Sequence, residues 1–325
     1  MIAVKVTRNT RKEVTTLQEA FEAFIRVKKA KNLAPITITG YKDSFNVFMR
    51  HFEFDEDTAL DALYPEMFED WTSAMLESDL KTSSINHYLR CTKVFLKWCI
   101  ENNHLNIPLH ITFVESQEET VKAFPDDDLA KITAEPTDLD DFKQWRTWTI
   151  IMWILATGNR ASTVCSVKIQ DIDFRNKEIV LSHTKNKRAQ VIPLSSTLEK
   201  VIKDYIHTWR YNSEPDDWLF PNIGNEKLTV NALRLAFYSY CKKRGSSHTN
   251  IHGLRHSFAL NWARLGGNEF KLQRILGHRS LEMTKRYVAL AVADLKDDYD
   301  SYSTLDIIKK SRKPKKAIYK ENTYA

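Results

Sequence analysis

The chain has 325 residues, enough for two domains with separate cores, and its 42% hydrophobic and 28% charged residues fit a globular protein rather than a disordered or fibrous one. An excess of 48 Lys and Arg over 42 Asp and Glu leaves a formal charge of +6, which favours a polyanionic partner without requiring one. The longest apolar run, Ile150 to Ala156, is far too short to cross a bilayer, and Met1 to Glu13 has Lys5, Arg8, Arg11 and Lys12 but no apolar stretch of signal-peptide length. Cys91, Cys99, Cys165 and Cys241 show no Cys-x-x-Cys spacing and read as reduced thiols of a cytoplasmic protein.

Residues 1–14 form a short basic lead. From 15 to 110 the apolar positions recur at helical spacing. Leu17, Phe21, Phe24 and Ile25 mark a first helix, with Arg26, Lys28, Lys29 and Lys31 crowding its C-terminal end. Pro35 breaks that pattern, and Tyr41, Phe45, Phe48, Met49 and Phe52 mark a second helix. Pro65 stands where a third begins, over Met67, Phe68, Trp71, Met75 and Leu76. A fourth carries Ile85, Tyr88, Leu89, Val94, Phe95, Trp98 and Cys99, interleaved with His87, Arg90, Lys93 and Lys97. Taken alone, such interleaved bases are a solvated face.

Residues 111–123, with the run from Glu115 to Glu119, read as a linker. Phe124-Pro125-Asp126-Asp127-Asp128-Leu129 reads as a capped helix start, with its acids at the positive end of the helix dipole. A second domain over 124–308 then runs through helices, a strand pair and helices again. Trp148 to Leu155 is an apolar segment ahead of Ala156-Thr157-Gly158-Asn159-Arg160-Ala161-Ser162. The strands are Glu178 to Ser182 and Gln190 to Leu194, joined by the basic turn Thr184-Lys185-Asn186-Lys187-Arg188. Leu290 to Leu305 is expected to be helical, and the Lys- and Arg-rich tail, 309–325, to be disordered unless a partner orders it.

The chemistry concentrates between His252 and Tyr287, where His252-Gly253-Leu254-Arg255 is followed by Leu276-Gly277-His278 and then Tyr287. A phosphodiester under attack gathers negative charge on its oxygens, and fixed donors aimed at them are usually the largest catalytic factor. Arg meets two such oxygens at once with its planar fork. A tyrosine hydroxyl can become a covalent nucleophile, provided a base and cations activate it. A rival reading is zinc: His252 and His256 are four apart, as helical zinc ligands are, but Gly253 stands where a metalloprotease motif needs Glu. On this reading His256 is structural and the chain has no metal site.

In order and spacing these motifs resemble the tyrosine recombinase (phage integrase) family: Arg, then Lys on a β-hairpin, then His-x-x-Arg, then Leu-Gly-His, then Tyr nine residues on. The resemblance implies a mainly α fold with a small β-sheet, made of a helical, SAM-like core-binding domain and an α+β catalytic domain that close like a clamp on duplex DNA. It implies that Arg160 and Arg255 hold the scissile phosphate, that Lys185 protonates the leaving 5′-oxygen, that His252 accepts the tyrosine proton, that His278 holds a phosphate oxygen, and that Tyr287 is the nucleophile. Lys185, eight residues before Pro193, is preferred over Lys187 and Arg188 for the acid, and these two with Arg90, Lys93, Lys97 and Arg286 are expected to contact DNA. Where many relatives have an acid three residues after the first arginine, this chain has Thr163, so the buttress of Arg160 is left open.

The implied reaction is site-specific strand exchange through a 3′-phosphotyrosyl link. It needs no ATP, metal or other cofactor, since the link conserves the bond energy. Implied partners are double-stranded recombination sites and further copies of the chain, in a tetramer that passes a C-terminal segment (roughly 290–308) between neighbours; accessory proteins are unspecified and no membrane is involved. The short lead favours a simple recombinase of mobile-element integration or replicon dimer resolution, in the cytoplasm at the nucleoid. Two other readings stand beside it: relaxation of supercoils in the manner of a type IB topoisomerase, and a DNA-binding regulator without catalysis.

Overall fold

The computed structural model describes residues 16–108, 110–115, 122–181 and 190–292. The basic lead, the turn holding Lys185, Lys187 and Arg188, the expected exchange segment beyond Val292, and the basic tail lie outside these residues. The chain divides into two compact units between Glu119 and Thr120.

Among the described residues the first unit has four α-helices: α1 (Leu17–Ala30), α2 (Pro35–His51), α3 (Met67–Leu76) and α4 (Thr82–Glu101). Thr16 caps α1 by accepting from the Glu19 amide at 3.2 Å. Pro35, the expected breaker, is the first residue of α2, where its fixed φ suits a helix start and its missing N–H costs nothing. The periodic aromatics interlock: Phe21 and Phe45 stack at 3.8 Å, and Phe95 of α4 meets both edge-on. Phe48 meets Trp71 in the same core. Ile111 is buried there as well, and Asn86 holds Val114 with two backbone hydrogen bonds of 2.8 and 2.9 Å. The first unit therefore extends past residue 110, the boundary expected from sequence, because two tertiary attachments hold a stretch that has no periodicity of its own.

The second unit holds α5 (Asp126–Thr133), α6 (Phe142–Thr157), the single turn α7 (Ala161–Val164), strands β1 (Ile172–Asp173), β2 (Glu178–Leu181) and β3 (Gln190–Pro193), and then α8 (Ser196–Trp209), α9 (Val230–Lys243), α10 (Ile251–Arg264), α11 (Glu269–Leu276) and α12 (Glu282–Val292). The strands form an antiparallel sheet in the order β1-β2-β3, with Ile179 opposite Ile192. Alternation turns Ile179, Leu181 and Ile192 into the core. Helix α6 is buried on nearly every side, which accounts for its unbroken apolar run. Helices α10, α11 and α12 enclose a smaller separate core of Ala259, Leu272, Leu276 and Tyr287.

The acids at the start of α5 do not cap it in the expected way. Pro125 occupies the cap position without a side-chain bond. Asp128, buried, instead accepts from the Ser247 amide and hydroxyl and from the His248 amide, and meets His248 Nδ1 at 2.9 Å. Serine and histidine share one carboxylate here, and the trio clamps α5 to the loop before α10.

Candidate functional site

Two helix ends organise the site. Helix α6 stops at Gly158 (φ 64°) and α11 at Gly277 (φ 62°), both left-handed. A Cβ on Gly158 would lie 2.5 Å from Phe258 and 2.7 Å from Leu276, so close packing as well as φ requires glycine there. The last carbonyls of a helix lack partners within it and carry the negative end of its dipole. Arg255, from α10 and only 2% exposed, donates to the Gly158 carbonyl (2.7 Å) with Nη1 and to the Leu276 carbonyl (2.8 Å) with Nη2. Arg160, two residues beyond Gly158, donates to the same Leu276 carbonyl at 3.3 Å.

The Leu276 carbonyl thus gathers both arginines and gives Arg160 a partner where Thr163 offers no carboxylate. Among the described residues neither guanidinium pairs with a carboxylate, so both charges remain available to an anion. Burial and mutual repulsion lower the pKa of Arg255 to about 10, which leaves it charged at neutral pH. Burial lowers that of Arg160 too, with Tyr287 opposing the shift.

Tyr287, 5% exposed, has its ring in the small core of α10–α12. Its hydroxyl lies 2.8 Å from His256 Nδ1. Burial raises its pKa, while Arg255, Arg286 and Arg160 pull it down. His278 Nδ1 bonds the fully buried Thr284 hydroxyl at 2.9 Å, which leaves Nε2 for any further hydrogen bond, and its ring lies parallel to that of Tyr287 at 6.3 Å. His252 packs edge-on against His256 at 4.6 Å between ring centres. Burial and then the neighbouring cations lower all three histidines, with His256 and His278 at about 4, so their rings are neutral at neutral pH.

Arg160, His252, Arg255, His278 and Tyr287 therefore come together from α10, α12 and the ends of α6 and α11. The histidine that touches the tyrosine hydroxyl is His256, which the sequence reading took as structural; one helical turn from His252, it was separated from that residue only by the fold. Together with the glycines, the Leu276 and Gly158 carbonyls do the positioning, and no side-chain pattern announces a carbonyl. Gly253 has its own reason: a Cβ there would lie 2.8 Å from the Phe124 ring and 3.0 Å from the Lys122 carbonyl, where the chain entering this unit crosses α10. No group of three His, Cys, Asp or Glu among the described residues is arranged to hold a metal.

At the base of the β2–β3 connection, the Gln190 side-chain amide donates to the Arg274 carbonyl at 2.6 Å and also bonds that of Ile275, fixing β3 beside Gly277. In the first unit, Lys93 donates to the Ile111 carbonyl (2.9 Å) and lies with Arg90 over Phe113, while Lys97 pairs with Glu101 at 3.8 Å. These bases are thus partly engaged by their own unit. No helix among the described residues is long and apolar enough to cross a membrane.

Known proteins match both units. The phage integrase family matches residues 122–293, and the phage integrase N-terminal SAM-like domain matches residues 20–103. Tyrosine recombinase XerC of Bacillus subtilis (strain 168) is 24% identical over 296 residues, covering 89% of this chain and 96% of that protein. Among solved structures, the Tn1549 transposon integrase in complex with a circular intermediate DNA superposes with a TM-score of 0.69 at 21% identity, covering 84% of this chain and 95% of its own. XerH site-specific recombinase bound to its difH substrate gives a TM-score of 0.63 at 20% identity, covering 86% and 84%.

Proposed function

The chain belongs to the phage integrase family, and from that premise we propose that it is a site-specific DNA recombinase whose nucleophile is Tyr287. The observation that carries this reading is the convergence of Arg160 and Arg255 on one carbonyl, uncompensated by any described carboxylate, within the same small group of helices as the Tyr287 hydroxyl. Buried, fixed cations stabilise charge far better than solvated ones, because they need no reorganisation as the charge develops.

In this reading the two guanidiniums hold a scissile phosphate and His278 adds a donor through Nε2. The Tyr287 oxygen attacks phosphorus, the P–O5′ bond breaks, and the DNA 3′ end stays on the tyrosine. Lys185 protonates the leaving 5′-oxygen. A 5′-hydroxyl from a partner duplex then attacks the phosphotyrosine, so the bond energy is conserved and neither ATP nor a metal is consumed. Arg90, Lys93, Lys97, Lys187, Arg188 and Arg286 are the proposed phosphate contacts around this centre. Paired sites imply a tetramer, with the chain beyond Val292 exchanged between copies. The likeness to tyrosine recombinase XerC supports recombination as the role, and replicon dimer resolution and mobile-element movement are its two proposed forms.

The test is covalent trapping on nicked suicide duplexes drawn from the DNA flanking the gene, in EDTA. Wild type is expected to form an adduct at the DNA 3′ end and Tyr287→Phe none. Adducts that persist in Tyr287→Phe would refute the assignment.

A further inference from the structure

We infer that His256 is the group that takes the proton from the Tyr287 hydroxyl during strand cleavage and returns it during ligation. The inference rests on the reading of Tyr287 as nucleophile and adds a residue that the motif order does not name.

Geometry carries it. His256 Nδ1 lies 2.8 Å from the Tyr287 oxygen, within the reach required of a general base. No such hydrogen bond joins His252 to that hydroxyl; the His252 ring instead packs against that of His256. His278 has its Nδ1 committed to Thr284. His256 projects from the same α10 face as His252, one turn on and next to Arg255, so the base and a phosphate-holding cation share one rigid element.

The protonation state is suited to the task. The groups facing His256 are His252 and Arg255 on its own helix, Arg286 and Tyr287 on α12, and His278 before α12. Burial and these cations keep the imidazole neutral in the free protein, and in the tautomer with its proton on Nε2 the Nδ1 lone pair faces the tyrosine hydroxyl. A phosphodiester seated on Arg160 and Arg255 offsets their charge, which raises the basicity of His256 at the moment the proton must move. In cleavage the Tyr287 oxygen–phosphorus bond forms, the P–O5′ bond breaks, and the tyrosine proton goes to Nδ1, making an imidazolium. In ligation the 5′-oxygen attacks phosphorus and the imidazolium returns that proton to the departing Tyr287 oxygen. The leaving 5′-oxygen is served separately by Lys185, so protons balance in both directions.

The experiment measures single-turnover adduct formation on suicide duplexes between pH 6 and 9, with unfolding temperature and DNA affinity recorded for each protein. The Asn side chain can put a hydrogen-bonding atom near the position of Nδ1 but cannot take the proton. With His256→Asn, the rate at pH 7 is expected to fall about 100- to 10,000-fold and to climb about tenfold per pH unit as hydroxide takes over, against a flat wild-type profile. With His256→Ala, added imidazole is expected to restore part of the rate, which a merely structural histidine would not permit. A wild-type rate or a flat profile in His256→Asn overturns the proposal. So does a climbing profile in His252→Asn beside a flat one in His256→Asn, which returns the role to His252. If His256→Asn does not fold, His256→Ala decides, and failure of imidazole to restore cleavage counts against the proposal. Failure of the underlying reading looks different: wild type forms no adduct, or Tyr287→Phe still does.

Discussion

On α4, Lys97 meets Glu101 at the surface and Lys93 is held by a carbonyl of the adjoining loop, whereas Arg160 and Arg255 are set by carbonyls at the ends of two other helices and meet no described carboxylate. A carboxylate partner neutralises a cation, while a carbonyl orients it and leaves its charge intact. The first arrangement suits a surface that positions a polyanion, screened by salt and adjustable; the second suits a centre where charge develops in a fixed place. One chain thus uses basic residues for two purposes: Lys97 is offset by a carboxylate, whereas Arg160 and Arg255 are tied to helix-end carbonyls with their charge intact.

The widest consequence falls on Arg255. Arg255→Ala is expected to lower adduct formation by at least about 100- to 1,000-fold, and Arg255→Lys to restore little of it, since an ammonium cannot span the Gly158 and Leu276 carbonyls as the fork does. Quantifying trapped 3′ adducts checks this, and a wild-type level in Arg255→Ala would erase the contrast between the two sets of cations.

The glycines that present the carbonyls come next. Gly158→Ala combines positive φ with a collision against Phe258 and is expected to cost about 2–5 kcal/mol. Gly245→Ala, at φ 68° with nothing nearby, isolates the backbone part at about 1–2 kcal/mol. Urea unfolding of both proteins measures the difference, and equal losses would show that close packing at Gly158 contributes nothing. The smallest effect belongs to the surface set. Lys97→Ala is expected to change stability by less than about 0.5 kcal/mol and, if that side chain touches a phosphate, to flatten the salt dependence of DNA binding by about 0.9 in log–log slope.

Helical periodicity made the first unit legible almost residue by residue, because aromatics such as Phe21, Phe45, Phe48 and Trp71 mark buried faces wherever they recur. The boundary after residue 110 was not legible, since Ile111 and Val114 are held by packing and by Asn86, and neither leaves a repeat in the sequence. The acids of α5 do lie in its first turn, at the positive end of the dipole, but none caps it, and Asp128 found buried partners in Ser247 and His248, more than a hundred residues away.

At the site, the chain by itself supplied the residue types and the order on which the proposed reaction rests: two arginines, the histidines and the tyrosine, with Gly158 and Gly277. Residue type and spacing carry that information, because phosphate chemistry demands particular side chains and left-handed turns demand glycine. What only tertiary structure decided is which partner each one meets. The Leu276 carbonyl took the place of a missing acid beside Arg160, and His256 rather than His252 met the Tyr287 hydroxyl. A carbonyl has no sequence signature, and two histidines one helical turn apart differ only in what the rest of the fold packs against them.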